Sequence, residues 1–153
     1  MSDALAARVI AANRYLTLAT AGADGAPWVT PVYFAVSEAL DEVLWVSSPD
    51  SEHSRNIAQR PAVAIVVFDS QVAIGAGEAV YARGEARLVA GDDLEQAIAV
   101  FAARSEQHGA GTWGTADVSG DARLRLYAAR LHECWTLDAT REGPEERIRI
   151  TPA

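Results

Sequence analysis

The sequence predicts a strand-rich α+β domain whose antiparallel strands close into a barrel. Short segments rich in β-branched and aromatic residues recur along the 153 residues, separated by turns of Gly, Pro, Asp and Ser. Amphipathic segments with helical spacing are interspersed among them. Strands this numerous usually close into a barrel, because closure removes their unpaired edges. The length and the absence of an internal repeat predict a single domain over residues 1–153.

The predicted elements begin with a short amphipathic helix over residues 3–13. Strands are predicted at residues 15–20, 28–36, 43–47, 62–68, 79–89 and 124–137, and a final edge strand at 147–150. Turn residues 22–25 join the first two strands into a hairpin. Residues 62–68 are almost wholly apolar, so this strand is predicted to be buried on both faces.

Two further helices interrupt the strands. Residues 51–60 form a helix that begins at Ser51, a good N-cap, and ends before Pro61, because proline disfavours helical backbone in the residue that precedes it. The next helix begins after Gly91. Its apolar side chains form one stripe, at Leu94, Ala97, Ile98 and Phe101. Residues 104–122 are Gly-rich and are predicted to be the most loop-like part of the chain.

Composition excludes several classes of partner. The formal net charge is -8, and all 13 cationic residues are Arg. An acidic chain repels the phosphates of nucleic acid and of anionic membranes, so neither is an expected partner. The single cysteine, Cys134, excludes an intrachain disulfide and a zinc site of paired cysteines. The first residues lack a signal-peptide pattern, and no apolar stretch approaches bilayer-spanning length, so we expect a cytoplasmic protein. We expect no metal site.

Four segments stand in a recognisable order between residues 25 and 88. They are Gly25-Ala26-Pro27 before the strand Val29-Thr30-Pro31-Val32-Tyr33-Phe34, then Val46-Ser47-Ser48, then Ser51-Glu52-His53 with Ile57 and Arg60-Pro61, then the strand at 80–88 with Gly84 and Ala86. Their order and spacing resemble the pyridoxamine 5'-phosphate oxidase-like flavoproteins, as does the ending Arg149-Ile150-Thr151-Pro152. The resemblance implies an antiparallel split β-barrel and a homodimer with the cofactor at the subunit interface. That cofactor is usually FMN; some relatives bind a deazaflavin, and a few bind haem or bile pigments.

The turn into the helix at 51–60 is a candidate phosphate site, since a helix start offers unpaired N–H groups and the positive end of the dipole. His53, Asn56 and Ile57 share one face of that helix. Ile57 must point to the core, so His53 and Asn56 flank it near the strand ends. Neighbouring hydroxyls are expected from Thr30, Ser47 and Ser48. A bound dianion is expected to raise the pKa of His53 above ~6.5, so that FMN affinity falls as pH rises through that pKa.

The flavin ring needs apolar contact on its faces and backbone donors and acceptors at its polar edge. The resemblance assigns this role to the strand that contains Thr30, Pro31 and Val32. We expect irregular backbone at these three residues to serve the polar edge of the ring.

Several residues depart from the family pattern. The family's phosphate-binding Arg falls at Thr30, and its Arg-Lys pair falls at Glu52 and His53. Charge-assisted hydrogen bonds are roughly twice as strong as neutral ones, so phosphate affinity is expected to be weaker. The family's Gln beside the ring falls at Ala79, and its substrate-contacting Lys falls near Ala35, which argues against oxidation of pyridoxamine phosphate.

Three functions stay open. The first is an FMN-dependent oxidoreductase, in which the lack of an evident acid–base residue fits direct hydride transfer. The second is a deazaflavin-dependent reductase, and the third is a non-catalytic flavin or tetrapyrrole binder. Trp113 is expected either to cover a ring in the partner's pocket or to anchor its own loop, and the same two alternatives stay open for Trp135. His108 and His132 are predicted to lie at the surface, and Cys134 in the interior.

Overall fold

The computed structural model describes residues 2–138 and 147–151, and within them eight strands form one antiparallel sheet flanked by three α-helices. The helices are α1 (Ser2–Ala12), α2 (Glu52–Gln59) and α3 (Leu94–Gln107). The strands are β1 (Tyr15–Ala21), β2 (Pro27–Tyr33), β3 (Ala35–Val36), β4 (Glu42–Ser47), β5 (Ala62–Phe68), β6 (Glu78–Leu88), β7 (Arg125–Asp138) and β8 (Ile148–Ile150). No helix in the described ranges is long and apolar enough to cross a membrane.

The sheet curls into a split barrel because its two end strands are neighbours in the sequence. The strand order is β2-β1-β5-β6-β7-β4-β3, with β8 added to β7. Phe34 alone separates β2 from β3, so the two ends of the sheet must meet at this residue, which is completely buried. β2 pairs with β1 but not with β4, and a split therefore remains between β2 and β4. The predicted split β-barrel is confirmed.

The inside of the barrel is filled by alternate side chains of the long strands. In β1, Leu16 and Leu18 are buried in the core, and the residues between them face outward. Trp45 of β4 is completely buried and lies nearly parallel to Tyr127 of β7, with ring centroids 6.0 Å apart. Fully burying one large apolar side chain contributes about 1.5–3 kcal/mol. This core is therefore the main term that holds the barrel closed.

The outer face of the sheet is covered on one half and open on the other. The predicted apolar stripe of α3 packs on the outer side of β3, β4 and β7, where it forms a second core with Ala35, Leu44, Leu126 and Ala128. β5 lies in the open half. Val63, Ile65 and Val67 face the core, whereas Ala64 and Phe68 are exposed. The prediction that β5 is buried on both faces is wrong, because its side chains alternate between buried and exposed and none of the three described helices covers its outer side.

A bulge at Gly84 sets the alignment of the two longest strands. The pairing of β6 with β7 shifts between Arg83, opposite Glu133, and Gly84, opposite Leu131. A Cβ atom at Gly84 would lie 2.1 Å from the carbonyl oxygen of Arg130. Only glycine allows this approach, so the residue fixes where the bulge forms.

Arg104 joins α3 to α1 beside the point where the sheet ends meet. Its Nη2 donates to the carbonyls of Ile10 and Asn13, both at 2.8 Å. Its guanidinium lies 4.9 Å from the centroid of the Phe34 ring. A cation at the C-terminal end of α1 also interacts favourably with the helix dipole. The side chain therefore ties both helices to the residue between β2 and β3.

Candidate functional site

The turn between β4 and α2 has the local structure that the sequence predicts. Ser51 is the N-cap of α2, with extended backbone (φ -69°, ψ 152°) and an Oγ that accepts the N–H of Ser54 at 3.4 Å. The Ser48 carbonyl accepts a hydrogen bond from the N–H of Ser51 at 3.1 Å, and Ser48 Oγ accepts one from the N–H of Asp50 at 3.2 Å. α2 contacts β1 and β2, and β2 contacts β4 across the split. The turn therefore lies at one end of the split.

His53 is buried within this turn. Its Nε2 lies 2.7 Å from Ser47 Oγ and 3.1 Å from Ser51 Oγ. The Ser51 hydroxyl also lies 2.9 Å from the Ser48 carbonyl and 2.8 Å from Ser54 Oγ, and it can donate to either. Burial lowers the pKa of His53 from its ordinary value of 6.5, so the imidazole is neutral at pH 7. His53 thus contacts Ser47 and Ser51, and its role as a phosphate ligand stays a prediction.

Asn56 lies one turn later on α2 and is also buried. Its Nδ2 donates to Thr20 Oγ1 at 3.1 Å, which joins α2 to β1. Ile57 beside it is buried in the barrel core, as predicted. Asn56 therefore fixes α2 on the sheet, and its direct contact with a phosphate stays a prediction.

β2 carries the three residues that the sequence analysis assigned to the ring. Its pairing with β1 runs without interruption from Pro27 to Tyr33, so the backbone at residues 30–32 is regular, where irregular backbone was expected. Thr30 is half-buried, Pro31 is exposed and Val32 is buried. None of the eight described strands pairs with the edge of β2 that faces away from β1. Such an edge presents main-chain donors and acceptors, and Pro31 is tolerated there because the missing N–H breaks no ladder.

Two arginines that the sequence analysis did not place lie beside the turn. Ser47 stands opposite Arg125 in the pairing of β4 with β7. The Arg125 guanidinium is held by three main-chain carbonyls at 2.8, 2.5 and 2.7 Å, those of Gly120, Ala122 and Leu124. Arg123 is exposed and lines a cavity of about 250 Å³ with Ser48 and Leu124. The sequence does show Arg123 and Arg125 alternating where a strand is predicted to begin. Their position beside the turn depends on the pairing of β4 with β7, which the sequence of neither strand reveals.

Trp113 anchors its own loop. Its ring meets Phe101 of α3 edge to face, with centroids 5.4 Å apart. Phe101 makes the same kind of contact with Tyr33 at 5.7 Å, and the Tyr33 hydroxyl lies 2.9 Å from Nδ1 of His108. His108 is half-buried in this aromatic group, where a surface position was expected. Burial and nearby arginine charges lower the pKa of His108. Whether Trp113 also covers a partner's ring stays a prediction.

A second cavity, of about 380 Å³, lies on the outer face of β5, β6 and β7. Arg147 lies 4.6 Å above the Tyr81 ring and Arg83 lies 5.6 Å above the Trp135 ring, and all four side chains line the cavity. Trp135 therefore faces outward from the open half of the sheet. Its contribution to a partner's site stays a prediction.

The remaining reactive side chains form no further site. Residues 2–138 and 147–151 contain no group of three or more His, Cys, Asp or Glu that could hold a metal ion. Cys134 is buried as predicted, and burial raises its pKa to about 11, so the thiol stays protonated. His132 is exposed as predicted, 4.0 Å from Glu85.

Comparison with known proteins gives a match by sequence and several by fold. The family model described as "Pyridoxamine 5'-phosphate oxidase" matches residues 1–138. A search of curated proteins found no match.

The solved structures of similar fold include proteins with different ligands in their names. HutZ, the heme storage protein from Vibrio cholerae, has a TM-score of 0.67 and 21% identity, over 83% of this chain and 87% of that chain. A heme binding protein from Mycobacterium smegmatis has a TM-score of 0.70 and 24% identity, over 97% of this chain and 58% of that chain. An F420 reductase has a TM-score of 0.57 and 21% identity, over 78% and 87%. At these identities the likeness shows the fold alone.

Proposed function

Because the chain belongs to the pyridoxamine 5'-phosphate oxidase family, we propose that it is an FMN-binding oxidoreductase. The observation that carries the proposal is the split between β2 and β4, which joins an open strand edge to a turn rich in hydroxyl groups. A flavin mononucleotide has a matching layout, with a flat ring that has one polar edge and a phosphate on a flexible chain. The chemistry of the two ends of the split therefore fits the two ends of this cofactor.

The turn between β4 and α2 fits the phosphate. The hydroxyls of Ser47 and Ser51 lie 3.3 Å apart at the N-terminal end of α2, where the helix dipole favours an anion. In the tautomer with a hydrogen on Nε2, His53 donates to Ser47 Oγ at 2.7 Å, which leaves the Ser47 hydroxyl able to donate to an anion. A bound dianion favours the imidazolium form of His53, which strengthens the site at lower pH. Asn56 keeps α2, and so the turn, against β1.

The open edge of β2 fits the polar edge of the ring. Of the main-chain groups at Thr30, Pro31 and Val32, the Pro31 carbonyl faces the side where no described strand pairs and can accept a hydrogen bond from the ring, whereas those of Thr30 and Val32 point towards β1. The side chain of Val32, buried at the start of the split, keeps water from the core beneath. When bound, FMN supplies the redox chemistry, and the protein orients the ring and shields it from solvent.

A homodimer would cover the open half of the sheet. Val29 is 59% exposed and Phe68 is 47% exposed. Val29 stands in register with Ala19 and, through it, with the exposed Ala64, so these three side chains form one apolar row across three strands. Phe68 lies on the same face of β5, four residues beyond Ala64, and extends the apolar surface. Contiguous apolar surface of this kind marks an interaction site more than single exposed residues do. We therefore assign the partner of this face as a second copy of the chain.

Light scattering after gel filtration tests this assignment. We expect a dimeric mass for the wild type at micromolar concentration and a monomeric mass for the Val29→Asp, Phe68→Asp double variant, because a buried unpaired charge is costly. Leu88 is 49% exposed but lies at the end of β6, outside the row, so Leu88→Asp is the matched control and is expected to stay dimeric. A monomeric wild type contradicts the proposal.

Two alternatives have support from the named neighbours. The likeness to an F420 reductase supports a deazaflavin in the same split, since that cofactor also has a flat ring and a phosphate. The likeness to HutZ supports a tetrapyrrole. His53 is poorly placed to bind haem iron, because its Nε2 already contacts Ser47 and Ser51. The chemistry of the buried turn thus favours an anionic tail over a metal.

The visible spectrum of the purified protein ranks these functions. Oxidised-flavin bands support FMN, a Soret band supports a tetrapyrrole, and a colourless protein that binds added deazaflavin but not FMN supports the second reading. Reduction of bound FMN by a nicotinamide donor then separates an oxidoreductase from a carrier. A protein that binds no flavin after incubation with excess FMN contradicts the proposal.

A further inference from the structure

We propose that the loop between β5 and β6, residues 69–77, is an arm that packs against a second copy of the chain. The inference rests on the homodimer assigned under the proposed function, and it adds a contact that lies outside the sheet. The loop presents two apolar side chains to solvent, Val72 and Ile74, and Ile74 is completely exposed. Neither side chain belongs to the two described cores. Burial against another surface is therefore the only way in which they can add to stability.

The backbone of the loop holds Ile74 away from its own chain. The N–H of Ala76 donates to the carbonyl of Ala73 at 3.0 Å, which closes a four-residue turn with Ile74 and Gly75 at its centre. Gly75 has a φ of 86°, while Ile74 keeps a negative φ, and this combination defines a type II turn. The side chain at the tip is thus presented by a formed turn. A contact that is ordered beforehand loses less conformational freedom when it docks.

The loop continues the open apolar face of the sheet. It begins directly after Phe68, the last residue of β5, whose exposed side chain belongs to that face. The exposed Tyr15 stands beside Phe68, because both lie two residues beyond the paired Thr17 and Val66. Apolar surface therefore extends from β1 and β5 into the loop. A copy of the chain that covers the sheet at this end also meets the loop.

The chemistry of the loop fits a second copy better than a membrane. Residues 70–77 contain no charged side chain, so the loop offers no cation to an anionic lipid surface. The formal net charge of -8 repels such a surface at long range. A second copy instead presents an apolar face of its own. In a dimer with twofold symmetry each contact occurs twice, so both loops and both faces are covered together.

The dissociation constant of the dimer, measured by sedimentation velocity over a dilution series, tests the arm. We expect Ile74→Ser to raise this Kd about 100-fold, because burial of one such side chain accounts for about tenfold and the symmetric contact is lost twice. Ile74→Leu keeps an apolar side chain and should stay within about fivefold of the wild type. Leu88→Ser is the matched control: Leu88 is also exposed and apolar but lies at the end of β6, and its change should stay below about threefold.

A dye at the tip of the loop reports the contact directly. Ile74→Cys is labelled with acrylodan, whose emission moves to shorter wavelength when the dye leaves water. Cys134 is buried and its pKa is raised to about 11, so the label reacts at residue 74 alone. We expect short-wavelength emission from the dimer and a shift to longer wavelength on dilution to the monomer. Emission that is the same in dimer and monomer overturns the arm.

The outcomes separate the arm from the proposed function, because neither measurement uses a flavin. An equal Kd in wild type and Ile74→Ser overturns the arm and leaves FMN binding and the sheet contact in place. A monomeric wild type overturns the arm and the homodimer together. Flotation of the wild type with phosphatidylcholine vesicles that Ile74→Ser abolishes, at an unchanged dimer Kd, assigns the loop to a membrane and overturns the arm. Thermal unfolding confirms that each variant is folded, which the exposed position of Ile74 leads us to expect.

Discussion

Replacing Gly84 with alanine is expected to open the centre of the sheet. The added Cβ would lie 2.1 Å from the Arg130 carbonyl oxygen, and contacts of this kind below 3.0 Å are essentially never seen. β6 and β7 must therefore separate by about 1 Å at the bulge, which carries the adjoining N–H···O bonds beyond the usual limit of about 3.2 Å. Two weakened ladder bonds cost about 1–3 kcal/mol together, and residual strain adds about 1–3 kcal/mol. Alanine regains about 0.5–1 kcal/mol by restricting the unfolded chain.

The net loss in the free energy of unfolding is about 1–5 kcal/mol, which corresponds to a fall in Tm of roughly 3–15 °C for a domain of this size. Urea unfolding followed by circular dichroism measures it, with the m value as a check on two-state behaviour. Gly77→Ala is the control, because a Cβ there meets no atom within 4 Å, and its change is expected to stay within about 0.5 kcal/mol. A loss below about 1 kcal/mol for Gly84→Ala would refute the idea that the bulge requires glycine.

Two further changes test the contacts around the split. Because burial lowers the pKa of His53, the unfolded chain binds a proton at a higher pH than the folded chain does. The free energy of unfolding should therefore decline as pH falls below about 6.5. In urea unfolding, His53→Gln should flatten that decline and leave only the part due to His108, whose pKa is also lowered. An unchanged slope in the variant contradicts this. Arg104→Met removes the hydrogen bonds to Ile10 and Asn13 and should cost about 2–4 kcal/mol in thermal unfolding; a cost below about 1 kcal/mol would mean that the arginine does not hold α1 in place.

Local patterns in the sequence were sufficient to predict the elements. The N-cap at Ser51 and the stop at Pro61 place α2 within one residue of its observed ends. The apolar stripe on α3 identifies the face that packs on the sheet. Periodicity of side chains and turn chemistry depend on neighbouring residues only, so they are visible before any tertiary contact is known.

Properties that depend on strand neighbours could not be predicted in the same way. Nothing in residues 62–68 tells which strand face a helix will cover. In the part of the chain that the structure describes, α3 lies on β4 and β7, and no helix covers the outer face of β5. Arg123 and Ser48 line one cavity only because β4 pairs with β7. The direction of the His53 side chain was also out of reach, because it depends on which hydroxyls surround it after folding. The resemblance supplied the family and the barrel, while the contacts of the candidate site needed coordinates.

The pairing of β4 with β7 also has a consequence for how the protein folds. Ser47 and Arg125 are partners in the sheet although about half of the chain lies between them, so a large loop must close before they meet. Topologies dominated by such distant pairings fold in milliseconds to seconds. A ligand held by β4 and β7 together binds only chains in which this closure is complete. If the proposed cofactor binds there, mass action stabilises the folded chains and so lowers their proteolysis, whereas chains that have not completed the closure gain no such protection.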